Sequence, residues 1–127
     1  MNIDHVNEHS SFTDKVYMSN LCQEITLPTK PIQHIDDSNG EIALCILSAI
    51  NIGKLSSLED LEELCDLAVR SLEEIIDYQD YPVKAAEEST KARRSLGIGY
   101  IGLAHYLAKN KVKYDDPHAW QLVNELT

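Results

Sequence analysis

Asn20, Cys22 and Glu24 stand at alternate positions in Asn20-Leu21-Cys22-Gln23-Glu24. In extended backbone, alternate side chains project from one face. The amide, thiol and carboxylate would then lie in a row, roughly 6.5–7 Å apart at successive positions. Together they offer a hydrogen-bonding group, a reactive sulfur and a base. Leu21, Gln23 and Ile25 would occupy the opposite face. On spacing alone, a half-buried strand with polar groups outward and an incidental Cys remains the stronger reading.

The other motifs are weaker. His5 and His9 sit at i and i+4, which on a helix could share a metal ion. No third ligand is evident, and the segment lacks helical periodicity. Asp36-Asp37-Ser38-Asn39-Gly40 is rich in calcium-binding residue types. The position five before the Gly is Ile35, however, and the closing Glu of a calcium loop is absent. An Asx-rich turn is expected instead. Gly97-Ile98-Gly99-Tyr100-Ile101-Gly102 matches a dinucleotide fingerprint. That fingerprint requires a strand immediately before it, and Lys91-Ala92-Arg93-Arg94 does not read as one. Small residues that let a helix pack closely on a neighbour are the preferred reading. Three cysteines, Cys22, Cys45 and Cys65, are too few and too odd in number for a disulfide framework. Cys65 falls on an apolar helical stripe and reads as a packing residue.

Composition limits the function classes. Eleven Lys and Arg against 21 Asp and Glu give a net charge of −10 with His neutral. That disfavours nucleic-acid binding, which draws on cations to neutralise phosphates, and attraction to anionic lipid. At 43% hydrophobic and 25% charged residues, the 127-residue chain has the makeup of a folded domain. It has no apolar run long enough to span a membrane and no signal-peptide pattern at Met1-Asn2-Ile3. A cytoplasmic location is expected.

These candidates need elements to position them. Residues 1–19 read as a polar lead, and 20–27 as a short strand or loop. Pro28-Thr29-Lys30-Pro31 and Asp36–Gly40 are loop signals. Ile42–Ile52 is apolar at nearly every position and ends at Gly53. This predicts a strand buried on both faces, with helix as the alternative. Ser56 and Glu59 form a capping-box pattern. Leu58, Leu61, Cys65, Ala68, Leu72 and Ile75 follow as one helical stripe, which stops before Pro82. Lys84–Arg94 leads into Ser95–Ala104, read as helical through Lys109. Asp116-Pro117 should open a last helix. About three helices thus occupy 56–127. A lone buried parallel strand needs neighbours on both edges, so the layout reads as an incomplete α/β unit.

Four blocks, in order, resemble one family. Ser19-Asn20-Leu21-Cys22-Gln23-Glu24-Ile25 with Leu27-Pro28-Thr29 is similar to the active-site segment of the class I ribonucleotide reductase large (alpha) subunit. Asn39-Gly40-Glu41-Ile42-Ala43-Leu44-Cys45 resembles the strand bearing one of that family's redox cysteines. Asp77-Tyr78-Gln79-Asp80-Tyr81-Pro82 and Arg93-Arg94-Ser95-Leu96-Gly97-Ile98-Gly99 resemble further parts of the same subunit, in a bacterial or bacteriophage-like form. The resemblance implies a partial catalytic domain over residues 1–127. It would form part of a ten-stranded α/β barrel, with a finger loop at 20–27, a barrel strand at 42–52 and a helical segment at 56–127.

It also implies roles. Cys22 would be the transient thiyl radical, Glu24 the base at the substrate 3′ hydroxyl, and Asn20 the hydrogen-bonding partner of the substrate hydroxyls. Cys45 would be a redox thiol whose partner lies outside this chain. The family's adjacent radical-transfer tyrosines are not matched by Tyr78, Tyr81, Tyr100 or Tyr106. Its C-terminal shuttle cysteines, phosphate-binding segment and effector regions are also unmatched. No cofactor is expected on this segment. The whole enzyme would use a small-subunit metal and tyrosyl radical, nucleotide effectors, a ribonucleoside diphosphate substrate, and thioredoxin or glutaredoxin as reductant. The remaining large-subunit segments would be partners too. Two alternatives are a non-catalytic acidic helical interaction module, and a metal-binding domain built on His5, His9 and Cys22.

Overall fold

The computed structural model describes residues 15–126. Strand β1 spans Ile46–Asn51 and is followed by a single 3-10 turn at Ile52–Lys54. Helices α1 (Glu59–Tyr78) and α2 (Lys84–Arg93) precede strand β2 (Leu96–Ile101). Helices α3 (Leu103–Lys109) and α4 (Pro117–Leu126) complete the order. The strands pair as a two-stranded parallel sheet, joined by the helical crossover that parallel pairing requires. This is the expected α/β class, with helices and an incomplete parallel sheet. None of the described helices is long and apolar enough to cross a membrane.

Several expectations need correction. The apolar run 42–52 becomes strand only from Ile46, and residues 42–45 are irregular. Along β1, half-buried and exposed positions alternate, so the strand is not buried on both faces. A two-stranded sheet leaves each strand one unpaired edge. Ser95–Ile101 is not helical, because Leu96–Ile101 forms β2. Glycine is a poor helix former, and the flanking Leu96, Ile98, Tyr100 and Ile101 suit an extended ladder. Among the described residues there are four α-helices rather than about three, since α2 stands apart as a helix of its own.

The helix signals fare better. α1 starts at Glu59, and the box contact falls one residue beyond the expected Ser56–Glu59 pair: Ser57 N–H donates to Asp60 Oδ2 at 3.1 Å. Asp116 caps α4 as expected, its Oδ1 accepting from His118 N–H at 2.9 Å. On the α1 stripe, Leu72 is buried, while Leu61 and Ala68 are half-buried. Leu58, Cys65 and Ile75 are exposed, so Cys65 is not a packing residue among the described residues. Ile76, off that stripe, is the most deeply buried side chain of the helix.

The described residues fall into two units. One comprises those up to Ile46 together with Glu73–Leu96. Its centre is α2, where Ala85, Ala86, Ser89 and Thr90 are buried. Ser89 Oγ donates to the Ile42 carbonyl at 2.6 Å, and Ile42 N–H donates to the Ala85 carbonyl at 3.4 Å. Arg93 pairs with Glu41 at 2.8 Å. Arg94 ends α2 in the left-handed region (φ 48°), with its guanidinium on Asp77 at 2.9 Å and on Glu73. Those contacts raise the Arg94 pKa and hold the Asp77 carboxyl below its ordinary range.

The other unit comprises Leu47–Leu72 and the described residues from Gly97 onward. Here α3 packs on the 3-10 turn, and Lys109 Nζ donates to the Leu55 carbonyl at 3.1 Å. Gly102, at φ 80°, lets the chain turn from β2 into α3. A Cβ there would lie 2.5 Å from Asn51 Oδ1, so only glycine fits this approach without a shift.

Candidate active site

The Asn20–Glu24 segment is a tight turn, not the extended row that alternate spacing alone would give. Gln23 N–H donates to the Asn20 carbonyl at 3.1 Å, and Gln23 itself takes φ 63°. The cause is local. Asn side chains can bond nearby backbone and so compete with strand geometry. Asn20 Oδ1 accepts from Ile25 N–H at 3.0 Å, while its Nδ2 donates to Glu24 Oε1 at 2.6 Å. Both ends of the amide are used, which fixes its orientation and leashes the carboxylate. Cys22 sits exposed on this turn, next to Leu21, which is 95% exposed.

The turn therefore brings Asn20 and Glu24 together by direct contact. A cavity of about 560 Å³ lies beside it, lined by Met18, Asn20, Ile25, Leu27, Ile42 and Cys45 among others. Asn20 and Cys45 thus share one wall system, while Cys22 and Glu24 are not among the lining residues. The lining is mostly apolar, the usual character of a small-molecule site with a few polar groups.

Cys45 lies immediately before β1 rather than within a strand. It is half-buried, and its Sγ lies 3.9 Å from the Ile46 carbonyl. Burial pushes its thiol pKa up, and the nearby Glu24 charge adds to this. The thiol is therefore held protonated and slow to react adventitiously. Cys22, Cys45 and Cys65 are all free thiols.

The expected Asx turn is present. Asp37 is buried, and its carboxylate accepts from Gln33 N–H at 3.0 Å and Asn39 N–H at 2.8 Å. Those donors hold its carboxyl below the ordinary carboxylate range. The turn returns the chain to a bridge in which Lys30 and Glu41 exchange backbone hydrogen bonds of 3.0 and 2.9 Å. His5 and His9 lie outside the described residues. Among the described residues, no group of three or more His, Cys, Asp or Glu side chains is placed to hold a metal ion.

Comparison with known proteins settles the kinship. A family model described as "Ribonucleotide reductase, barrel domain" matches residues 1–127. The chain belongs to the ribonucleotide reductase family. It is 62% identical to the ribonucleoside-diphosphate reductase subunit alpha of Haemophilus influenzae, over 99% of this chain and 16% of that protein. It is 52% identical to the ribonucleoside-diphosphate reductase 1 subunit alpha of Escherichia coli, over 98% of this chain and 17% of the relative. With the corresponding subunit of phage T4, identity is 37% over 98% of this chain and 16% of the other. The chain thus spans about one sixth of the length of these reductase subunits.

Reading the sequence alone gave Thr29 no role of its own beside the candidate residues. Its hydroxyl accepts from Tyr17 N–H at 3.2 Å, and both residues line the cavity. The available signal was a Thr between two prolines at the exit of the turn, which reads only as a loop.

Proposed function

We propose that this chain is the central active-site part of a ribonucleoside-diphosphate reductase large subunit. It would act in radical reduction of ribonucleotides to deoxyribonucleotides once combined with the rest of that subunit. The observation that supports this best is the Asn20–Glu24 hydrogen bond beside a cavity whose wall includes Cys45. An oriented amide and a half-buried thiol share the wall of one small, mostly apolar cavity, and the amide holds the carboxylate beside it.

The roles follow from residue chemistry. Cys22 is the thiyl radical carrier: it takes the 3′ hydrogen atom of the ribose and later returns one. Its exposure on the turn leaves the sulfur open to approach. Glu24 accepts the 3′ hydroxyl proton. Asn20, fixed at both ends of its amide, orients the carboxylate and the substrate hydroxyls. Cys45 supplies one of the two thiols that reduce the 2′ position. The two thiols end as a disulfide after giving up two electrons and two protons, and 2′ oxygen leaves as water. External dithiol exchange resets them.

This reading makes 1–127 a partial catalytic barrel domain, with 20–27 as the active-site loop. It implies a radical-generating small subunit with its metal and tyrosyl radical, nucleotide effectors, the other large-subunit segments, and thioredoxin or glutaredoxin as reductant. The setting is cytoplasmic, with neither nucleic acid nor membrane as partner. The test is peptide mapping of the assembled enzyme after turnover without external reductant. Cys45 should be found linked to a cysteine outside this chain. Cys45 still free, or joined to Cys65, would remove its redox role.

A further inference from the structure

We infer that Thr29 is a positioning residue for this reaction, its hydroxyl setting the Asn20–Glu24 turn in register with the segment that carries Cys45. The inference rests on the functional reading above. Thr29 binds the flank that leads into the turn at two points. Its N–H donates to the Lys15 carbonyl at 3.2 Å, and its Oγ1 accepts from Tyr17 N–H at 3.2 Å. Those bonds close the base of a loop whose tip is the Asn20–Gln23 turn. Val16 and Pro28, both buried, pack at the same base.

The next residue carries the connection onward. Lys30 exchanges its two backbone hydrogen bonds with Glu41, four residues before Cys45. Residues 29 and 30 therefore splice the two reactive segments together. Tyr17, Asn20, Thr29, Glu41 and Cys45 all line one cavity. A single backbone bond at Thr29 would leave the flank free to rock about it. The hydroxyl adds a second point and fixes the angle. Tyr17 is 62% exposed, so water can replace the lost acceptor and the cost in stability is small. The cost in geometry is larger, because a carboxylate and a thiol must address neighbouring carbons of one ribose. A misplacement near 1 Å can cost up to about 100-fold in rate.

The test uses the complete reductase large subunit bearing this segment, assembled with its small subunit. Thr29→Val should lower kcat about tenfold, with KM for the ribonucleoside diphosphate and the thermal midpoint unchanged. Thr29→Ser, which keeps the acceptor, should restore kcat. If the valine variant fails to assemble, Thr29→Ala carries the same expectation. Wild-type kcat in Thr29→Val would overturn the inference. So would an equal loss in Thr29→Ser, or a raised KM at unchanged kcat, which would make the hydroxyl a substrate contact. Cys22→Ser run in parallel separates the two claims. Turnover surviving that change overturns the functional reading, whereas a dead Cys22→Ser beside a fully active Thr29→Val overturns only the role of Thr29.

Discussion

The unit that carries the candidate site residues and the unit that carries the sheet are each held together in a different way. In the first, Asn20–Glu24, the Asp37 turn and residues 42–45 have irregular backbone. Polar ties fix them: Thr29 to Lys15 and Tyr17, Ser89 to Ile42, Arg93 to Glu41, and Arg94 to Glu73 and Asp77. The second unit holds the strand pairing, both short C-terminal helices and most of α1. Large apolar side chains are exposed in both units: Leu21 and Met18 in the first, and Leu47, Leu67, Ile101 and Trp120 on the regular elements of the second. The candidate site therefore sits on backbone shaped by specific hydrogen bonds, while the regular elements of the second unit present apolar faces of the kind that other protein covers.

The largest expected effect concerns the polar unit. In the assembled enzyme, Glu24→Gln should lower turnover by about 10²–10⁴-fold, because an amide cannot take the hydroxyl proton. Its oxygen still accepts from Asn20 Nδ2, so substrate affinity should persist. Near-normal turnover, measured as deoxynucleotide formed per enzyme, would detach the carboxylate from the chemistry.

Two glycines sharpen the contrast. A Cβ on Gly40 would lie 2.2 Å from Ile32 Cγ2, beside the Lys30–Glu41 bridge. Gly40→Ala should cost roughly 1–3 kcal/mol through overpacking. It should also lower turnover by disturbing the splice between the two reactive segments. Gly102→Ala meets both a left-handed backbone and Asn51, at a strain of roughly 1–2 kcal/mol. Its effect should appear in the denaturation midpoint. Equal loss of turnover per folded enzyme in both variants would break the distinction between the units.

A smaller effect is expected in acid. The lowered Asp37 pKa means that its ionised form is the one stabilised in the fold. That contribution is present above the ordinary carboxylate value and is lost as pH falls through the lowered one. The 33–39 turn should loosen below about pH 4, read as faster hydrogen exchange at Asn39. Asp37→Asn should flatten this dependence. An unchanged pH profile in that variant would assign the acid response elsewhere.

These regions also differ in how legible they were. Helix caps follow short local rules, so Asp116-Pro117 and the turn at Asp37 were readable. The box contact at the start of α1 shifts by one residue because Ser57 and Asp60 repeat the spacing of Ser56 and Glu59. β2 was misread because Gly97 and Gly99 weaken any periodicity, and its identity depends on a distant partner, β1. The tight form of the Asn20–Glu24 turn is not legible in the alternation of its residues, because Asn20 bonds its own chain at Ile25. Residue types named the candidate site through their resemblance to a family. The splice through Thr29 and Lys30 depends on pairings 11 to 14 residues apart in sequence, and no local pattern encodes it.

The central claim is that Cys22 carries the reaction from its place on the turn. The direct measurement is nucleotide reduction by the assembled enzyme with Cys22→Ser, alongside substrate binding to the same preparation. Serine keeps the shape, but its stronger bond to hydrogen makes it a poor radical carrier. The expected result is no detectable deoxynucleotide with substrate affinity intact. Turnover near wild type would contradict the account.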